Sequence, residues 1–215
     1  MLCRMKLDSR EDWLAERGRG LGGSDAAAAV GMSPWMSPVE LWKIKTGQSK
    51  QKDLSENAAV ARGVSWEPIL RDVFAKTHPQ FEIEYHPYDI LYQSEYEWLF
   101  ATLDAEIVDE GGRNGVLEIK TASPRGKEGF AEWANGHIPQ HYYIQTLHQL
   151  LATGYEFVNL YAALFSLDGT VTLKPVVEIE RDDVREDLKW LLAEETRFWN
   201  FNIMGSRMPP MPLKL

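Results

Sequence analysis

Acids and a lysine bracket a glycine-rich turn in ATLDAEIVDEGGRNGVLEIK, residues 101–120. If residues 109–115 form the turn, Val108 stands opposite Val116, Glu106 opposite Glu118 and Asp104 opposite Lys120. Side chains alternate across a strand, so Asp104, Glu106, Glu118 and Lys120 share one face. Leu103, Ala105, Ile107, Leu117 and Ile119 then point into a core. Carboxylates gathered beside one ammonium suit metal-assisted chemistry at phosphate. Hard oxygens hold the ion, and the ammonium orients water or stabilises developing charge. The same face also reads as a solvated outer surface with ordinary ion pairs, which needs no function. Against that, Glu106 opposite Glu118 is repulsive unless a cation stands between them.

Such a cluster needs elements to position it. SREDWLAERG predicts a short helix capped by Ser9, with acids in its first turn. GRGLGG is a loop, after which Ser24 can cap the alanine-rich DAAAAVG. VELWKIKTG predicts a helix ended by Gly47, and a further helical region over residues 58–76 is interrupted at Pro68. The period then changes. FEIEYH, YDILYQ, WLFATLDAEIVD, GVLEIKTA, FVNLYAALFS and TVTLKPVVEIE are rich in β-branched and aromatic residues and bounded by turn signals. Between them PQHYYIQTLHQLLATG has helical spacing and stops at Gly154. Residues 181–201 predict an amphipathic helix with Val184, Leu188, Leu191 and Leu192 on its apolar stripe. Helices at both ends around a sheet indicate an α/β class, with a central mixed β-sheet flanked by helices, in one domain over residues 1–215.

Composition narrows the classes. With 44% hydrophobic and 26% charged residues, the 215-residue chain can bury a sizeable core. The lone Cys3 excludes an intramolecular disulfide and fits a reducing compartment. MLCRMKLDSREDW lacks the apolar stretch of a signal peptide, and no run is long enough to cross a bilayer, so no membrane and a cytoplasmic location are expected. The net charge of −9 weighs against a general nucleic-acid binder. A local basic surface from Lys43, Lys45, Lys50, Lys52, Arg125 and Lys127 stays open beside the plainer reading of a solvated face.

Several segments resemble one family in the right order. Asp104 with Glu118-Ile119-Lys120 across a hairpin resembles the restriction-endonuclease-like core of the PD-(D/E)XK nuclease superfamily, with Thr102-Leu103-Asp104 where Pro-Asp would stand. WLAERGRGLGGSDAAAAVGMSPWMSPVELWKIKTG is similar to the N-terminal motif of the YqaJ-type viral recombinase nucleases, the family of phage lambda exonuclease. RGVSWEP resembles that family's Gly-x-x-x-Glu element and HYYIQTLHQLLATG its Tyr-x-x-Gln helix.

The resemblance implies roles. Asp104 and Glu118 match the metal-binding acids, the Ile119 carbonyl completes that shell, and Lys120 matches the catalytic lysine. Glu67 matches an acid near the metals, binding a second ion directly or through water; its own spacing pairs it with Arg71, and Pro68 predicts a kink or helix start there. Tyr142 and Gln145 match the Tyr-x-x-Gln pair, open by one position because Tyr143 follows. His141 and His148 read as structural. Arg17, Ser24 and Thr102 match residues that hold a terminal 5′-phosphate, Thr102 from the strand face of Asp104; read alone, Arg17 is exposed and Ser24 only a cap. The implied activity is a Mg²⁺-dependent, alkaline-type exonuclease that digests linear duplex DNA 5′ to 3′ to mononucleotides. It would use two ions per site, with Mn²⁺ as a substitute, and leave a 3′ tail for a phage single-strand annealing recombinase. A homotrimeric ring is the implied assembly. An endonuclease with the same site, or a module that only binds DNA ends, are the alternatives.

Overall fold

A computed structural model describes residues 1–54 and 56–210. The chain opens on a strand that the charged N-terminal sequence does not announce, β1 (Leu2–Met5), and enters α1 (Arg10–Arg17) at Ser9. The Ser9 side chain accepts a hydrogen bond from the Asp12 amide and caps the helix as expected. A two-residue strand, β2 (Leu21–Gly22), leads into α2 (Gly23–Ala29), whose four alanines are buried. The cap of α2 is Gly22, not Ser24, because the Asp25 carboxylate reaches back to the Gly22 amide at 3.0 Å. Ser24 therefore lies within the first turn. A capping box of Ser37 and Glu40 starts α3 (Pro38–Lys45), and Gly47 follows it with φ at 73°.

Pro68 does not interrupt α4 (Ala58–Thr77), which is one helix through that position. Val64, whose carbonyl Pro68 cannot serve, sits on an exposed stretch where solvent substitutes, while Leu70 and Phe74 anchor the next turns in the core. The strands β3 (Glu82–Glu84), β4 (Ile90–Gln93), β5 (Leu99–Phe100), β6 (Ala105–Val108) and β7 (Asn114–Ala122) come next. The expected single strand over WLFATLDAEIVD is thus two strands, with residues 101–104 between them. A short helix, α5 (Gly126–Ala131), precedes α6 (Gln140–Thr153), which Gly154 ends in the left-handed conformation. The chain finishes with β8 (Phe157–Phe165), β9 (Val171–Leu173), β10 (Val177–Glu180) and α7 (Arg185–Arg197), continued as π-helical turns over Phe198–Met204.

The main sheet runs β10-β8-β7-β6-β3, with β9 also on β8. Its central pair, β7 and β8, is parallel and the other pairs are antiparallel. Leu70 and Phe74 of α4 cover one face, against Ile107, Leu117, Ile119 and Tyr161. The other face lies under α6, with α2 and α7 behind it, and Val116 and Val158 point that way. Both faces of the hairpin are covered, so a solvated outer face does not exist here.

The hairpin is two residues out of the expected register: Val108 pairs with Asn114 and Glu106 with Val116. A shift of two preserves which face each side chain takes, whereas a shift of one would have scattered the cluster. It does, however, remove Glu106 from opposite Glu118. Glu106 instead bonds to Arg4 at 2.6 Å and to the Tyr155 hydroxyl.

Candidate active site

The base of the β6–β7 hairpin holds the acids. The β6 ladder ends at Ala105, and Asp104 just before it turns back so that Oδ2 accepts the Ile119 amide at 2.7 Å. In a strand the N–H and C=O of one residue leave on the same side, so the Ile119 carbonyl points towards Asp104 and away from the β8 ladder. Glu118 and Lys120 fall on the face beneath α6, and Glu118 is only 2% exposed. Lys120 Nζ stands 2.5 Å from Glu118 Oε1.

Helix α6 supplies the rest from one side. Gln145 Nε2 donates to Glu118 Oε1 at 2.7 Å, and Gln145 Oε1 accepts from Lys120 at 2.9 Å. One turn further on, Gln149 Nε2 donates to Glu118 Oε2 at 2.5 Å. Tyr142 places its ring 4.9 Å from the Lys120 ammonium and lines the cleft, whereas the Tyr143 hydroxyl donates to Asp187. Gly23 lets α2 approach this group: a Cβ there would stand 3.2 Å from Gln145 Cγ. From the opposite face α4 brings Glu67, paired with Arg71 at 2.5 Å, as its own spacing expects. Glu67, Asp104, Glu118, Lys120, Tyr142 and Gln145 all line one cleft of about 300 Å³.

Charge in this cleft is not balanced by proximity alone. Burial, and then the charges of Glu118 and Glu67, push Asp104 well above the usual carboxylate range. Burial raises Glu67 against the pull of Arg71, with Glu118 adding to the rise. Burial would lower Lys120, but the charges of Glu118 and Asp104 outweigh it and keep the ammonium protonated. Among the described residues, no three His, Cys, Asp or Glu side chains converge as a closed metal cage. The oxygens of Glu118 are turned to Lys120, Gln145 and Gln149 instead. The donor chemistry nevertheless fits a hard divalent cation: repelling buried carboxylates and an outward carbonyl, at an opening large enough for an ion and water.

Arg17, Ser24 and Thr102 meet in a second cavity of about 260 Å³ that shares Glu67, Asp104 and Gln145 with the first. Arg17 hydrogen-bonds Ser24 and lies 5.1 Å over the Trp13 ring, while Trp13 Nε1 donates to Thr102 Oγ1 at 2.9 Å. Trp13 thereby ties the two sides of the cavity together. Thr102 reaches it from the bend between β5 and β6, not from a strand face. Gly20 fits the turn after α1 because a Cβ there would stand 2.5 Å from the Trp98 carbonyl. Asp25 lies close by; burial pushes it up, but Lys45 and Arg17 outweigh that and hold it below its usual range.

The model of the YqaJ-like viral recombinase domain family matches residues 12–156, which include every residue of both cavities named above. The chain belongs to that family. A curated relative, the Bacillus subtilis (strain 168) protein named uncharacterized protein YqaJ, is 34% identical over 216 residues. That alignment takes in 98% of this chain and 62% of the relative, so the chain spans under two thirds of the relative's length. Two solved structures share the fold. The alkaline exonuclease LHK-Exo of Laribacter hongkongensis superposes with a TM-score of 0.57 at 17% identity, covering 93% of this chain and all of its own. A phage-related exonuclease of Haemophilus somnus 129PT gives 0.53 at 12% identity, covering 87% and 96%.

Within this YqaJ-family chain the basic group left open by the sequence loses a member. Lys45 is 7% exposed and paired with Asp25 at 2.8 Å, while Lys43, Lys50, Lys52, Arg125 and Lys127 are exposed. No helix among the described residues is long and apolar enough to cross a membrane. His148 is structural as expected, enclosed between Glu195 at 2.8 Å and the Phe100 carbonyl at 2.9 Å. The sequence reading missed Gln149 and Tyr85. Gln149 was legible as the next turn after Gln145 on the same helix face. Tyr85, whose ring lies 3.6 Å from the Arg71 guanidinium, had no local signal because the contact joins β3's exit to α4.

Proposed function

We propose that this chain is a Mg²⁺-dependent exonuclease that hydrolyses linear duplex DNA from 5′ ends. The observation that supports the reading is that the two cavities share Glu67, Asp104 and Gln145 as walls, so the Arg17, Ser24 and Thr102 group adjoins the buried carboxylate–lysine cluster. Asp104, Glu118 and the Ile119 carbonyl would hold one cation, and Glu67 a second. Bound there, the cation supplies Lewis-acid polarisation of the phosphoryl group and lowers the pKa of water. Mn²⁺ has the same ligand preference and would substitute.

The chain's own groups do the rest. Lys120 and Gln145, already joined at 2.9 Å, position water for in-line attack, and Tyr142 closes the side of the cleft. Attack on phosphorus breaks the bond to the 3′-oxygen of the terminal nucleotide, which takes up a proton and departs as a 5′-mononucleotide. The remaining strand keeps the phosphate as its new 5′ end, so each turnover regenerates the ligand of the Arg17 clamp. The guanidinium can bond two phosphate oxygens, and the Ser24 and Thr102 hydroxyls add donors. Helix α2 has only seven residues, so the clamp rests on those side chains.

The family's description as a viral recombinase domain supports a recombination role, in which the exposed 3′ strand passes to an annealing recombinase. A ring of three copies around DNA would let an acidic chain retain its substrate, with basic groups turned inward. The test is digestion of linear, circular and single-stranded DNA with and without Mg²⁺. Metal-dependent loss of the linear duplex alone supports the proposal, and equal cutting of closed circles replaces it with an endonuclease.

A further inference from the structure

Trp35 is 79% exposed, an unusual position for the largest apolar side chain. It lies in the loop between α2 and α3, and that loop is held. The Ser33 hydroxyl accepts hydrogen bonds from the Trp35 and Met36 amides at 3.2 and 3.3 Å, and Pro34 and Pro38 flank the segment. The indole is thus presented to solvent at little further entropic cost.

The ring is also connected inward. Trp35 meets His141 edge-on at 6.2 Å, His141 packs on Tyr142 at 4.1 Å, and Tyr142 lies 4.9 Å from the Lys120 ammonium. A ladder of three rings therefore runs from the reacting end of the cleft to the surface. His141 Nε2 is buried with no hydrogen-bond partner, so the ladder also offers a polar atom that nothing in the chain uses. Burial, with Lys120 adding to it, holds His141 below the ordinary imidazole range, so its ring is neutral and can donate or accept.

We infer that Trp35, backed by His141 and Tyr142, is a stacking platform for the nucleobase of the nucleotide being removed. The inference rests on the exonuclease reading and adds the base to the phosphate contacts. In an intact duplex the terminal base is paired and stacked on its neighbour, so binding against a ring at the rim requires it to leave that stack. An aromatic surface at the rim offsets that unstacking. Every base has a π-face, so the contact is blind to sequence, as degradation of any DNA requires.

The experiment compares initial kcat/KM on 5′-phosphorylated linear duplex whose terminal 5′ nucleotide is intact or a tetrahydrofuran abasic analogue. Native protein, Trp35→Ala and Trp35→Phe are each measured. On the intact end Trp35→Ala should lose about ten- to a hundredfold, the scale of one base–aromatic stack, and Trp35→Phe should keep most of the rate. On the abasic end Trp35→Ala should cost no more than about twofold, because the base that stacks is already gone. Equal losses on both ends would assign Trp35 to the DNA backbone or to structure and overturn the platform. No loss on either end would do the same, leaving the ring to a subunit or protein contact. Failure of native protein to digest either end would remove the exonuclease reading itself, an outcome distinct from these.

Discussion

The two ends of the β6–β7 hairpin carry the same residue types in opposite circumstances. At the loop, Asp109 accepts the Gly111 and Arg113 amides at 2.9 Å and the Arg113 guanidinium at 2.7 Å, and Arg113 continues to Glu180 at 3.0 Å. Asp109, Arg113 and Glu180 are paired with one another there, and the Arg113 side chain is 46% exposed. At the base, Glu118 contacts Lys120 beneath α6, Asp104 and Glu67 line the same cleft, and burial with the other two acids raises Asp104. The loop end is arranged for local order and the base end against it. Acid and base spacing alone does not distinguish them; burial and imbalance do. Glu106, one alternation from Asp104, belongs with the matched kind through Arg4 and Tyr155.

The comparison breaks if mutations at the two ends behave alike. Asp104→Ala or Glu118→Ala should abolish digestion of linear duplex, since each removes a charged ligand. Lys120→Ala should lose at least about a hundredfold, the usual scale for one electrostatic or proton-transfer group. Turnover near native in any of these, by release of acid-soluble nucleotide, would remove the base end from the chemistry. Arg17→Ala should erase most of the preference for 5′-phosphorylated over 5′-hydroxyl ends while leaving Mg²⁺ affinity intact. Native rates equal on both ends would show that no phosphate clamp operates.

A third charged place sharpens the comparison by being both buried and matched. Burial alone would lower His148, but Glu195 and the Phe100 carbonyl reverse this and hold it above its ordinary value of 6.5. A raised histidine contributes stability fully below its unfolded pKa and loses it as pH rises through the folded one. Tm should therefore fall by a few degrees, about 2–4 °C per kcal/mol lost, as pH is raised from near 6.5 into the alkaline range. Glu195→Gln should flatten that slope, and an unchanged slope would mean the pair does not titrate. The smallest effect belongs to the loop: Arg113→Ala should leave the midpoint of a denaturant melt nearly unchanged.

How much of this the sequence disclosed follows from the range of each signal. Ser9, Gly47 and Gly154 act within one turn, and each marks its helix end where the sequence puts it. The hairpin loop did not follow its glycines. Asp109 closes residues 109–113 through its own side chain, and Gly115 stays in β7 because the Phe157 ring occupies its Cβ position. Residues 109–115 therefore looked like a longer turn than forms. The acid face survived the error because register moved by an even number. Helix α4 passes Pro68 because tertiary packing at Leu70 and Phe74 overrides local preference. Tyr85 on Arg71 and the Trp35 ladder join distant elements, which spacing within one segment cannot show.

The most direct test of the central claim is Mg²⁺-dependent digestion of 5′-phosphorylated linear duplex by native protein, Glu118→Gln and Arg113→Ala in parallel. Glu118→Gln keeps the shape but removes the charge at the base of the hairpin; Arg113→Ala removes a charge at its loop. The account predicts digestion by native protein and by Arg113→Ala at rates within about twofold, and none by Glu118→Gln. Digestion by Glu118→Gln at the native rate, or no digestion by native protein with Mg²⁺, would contradict it.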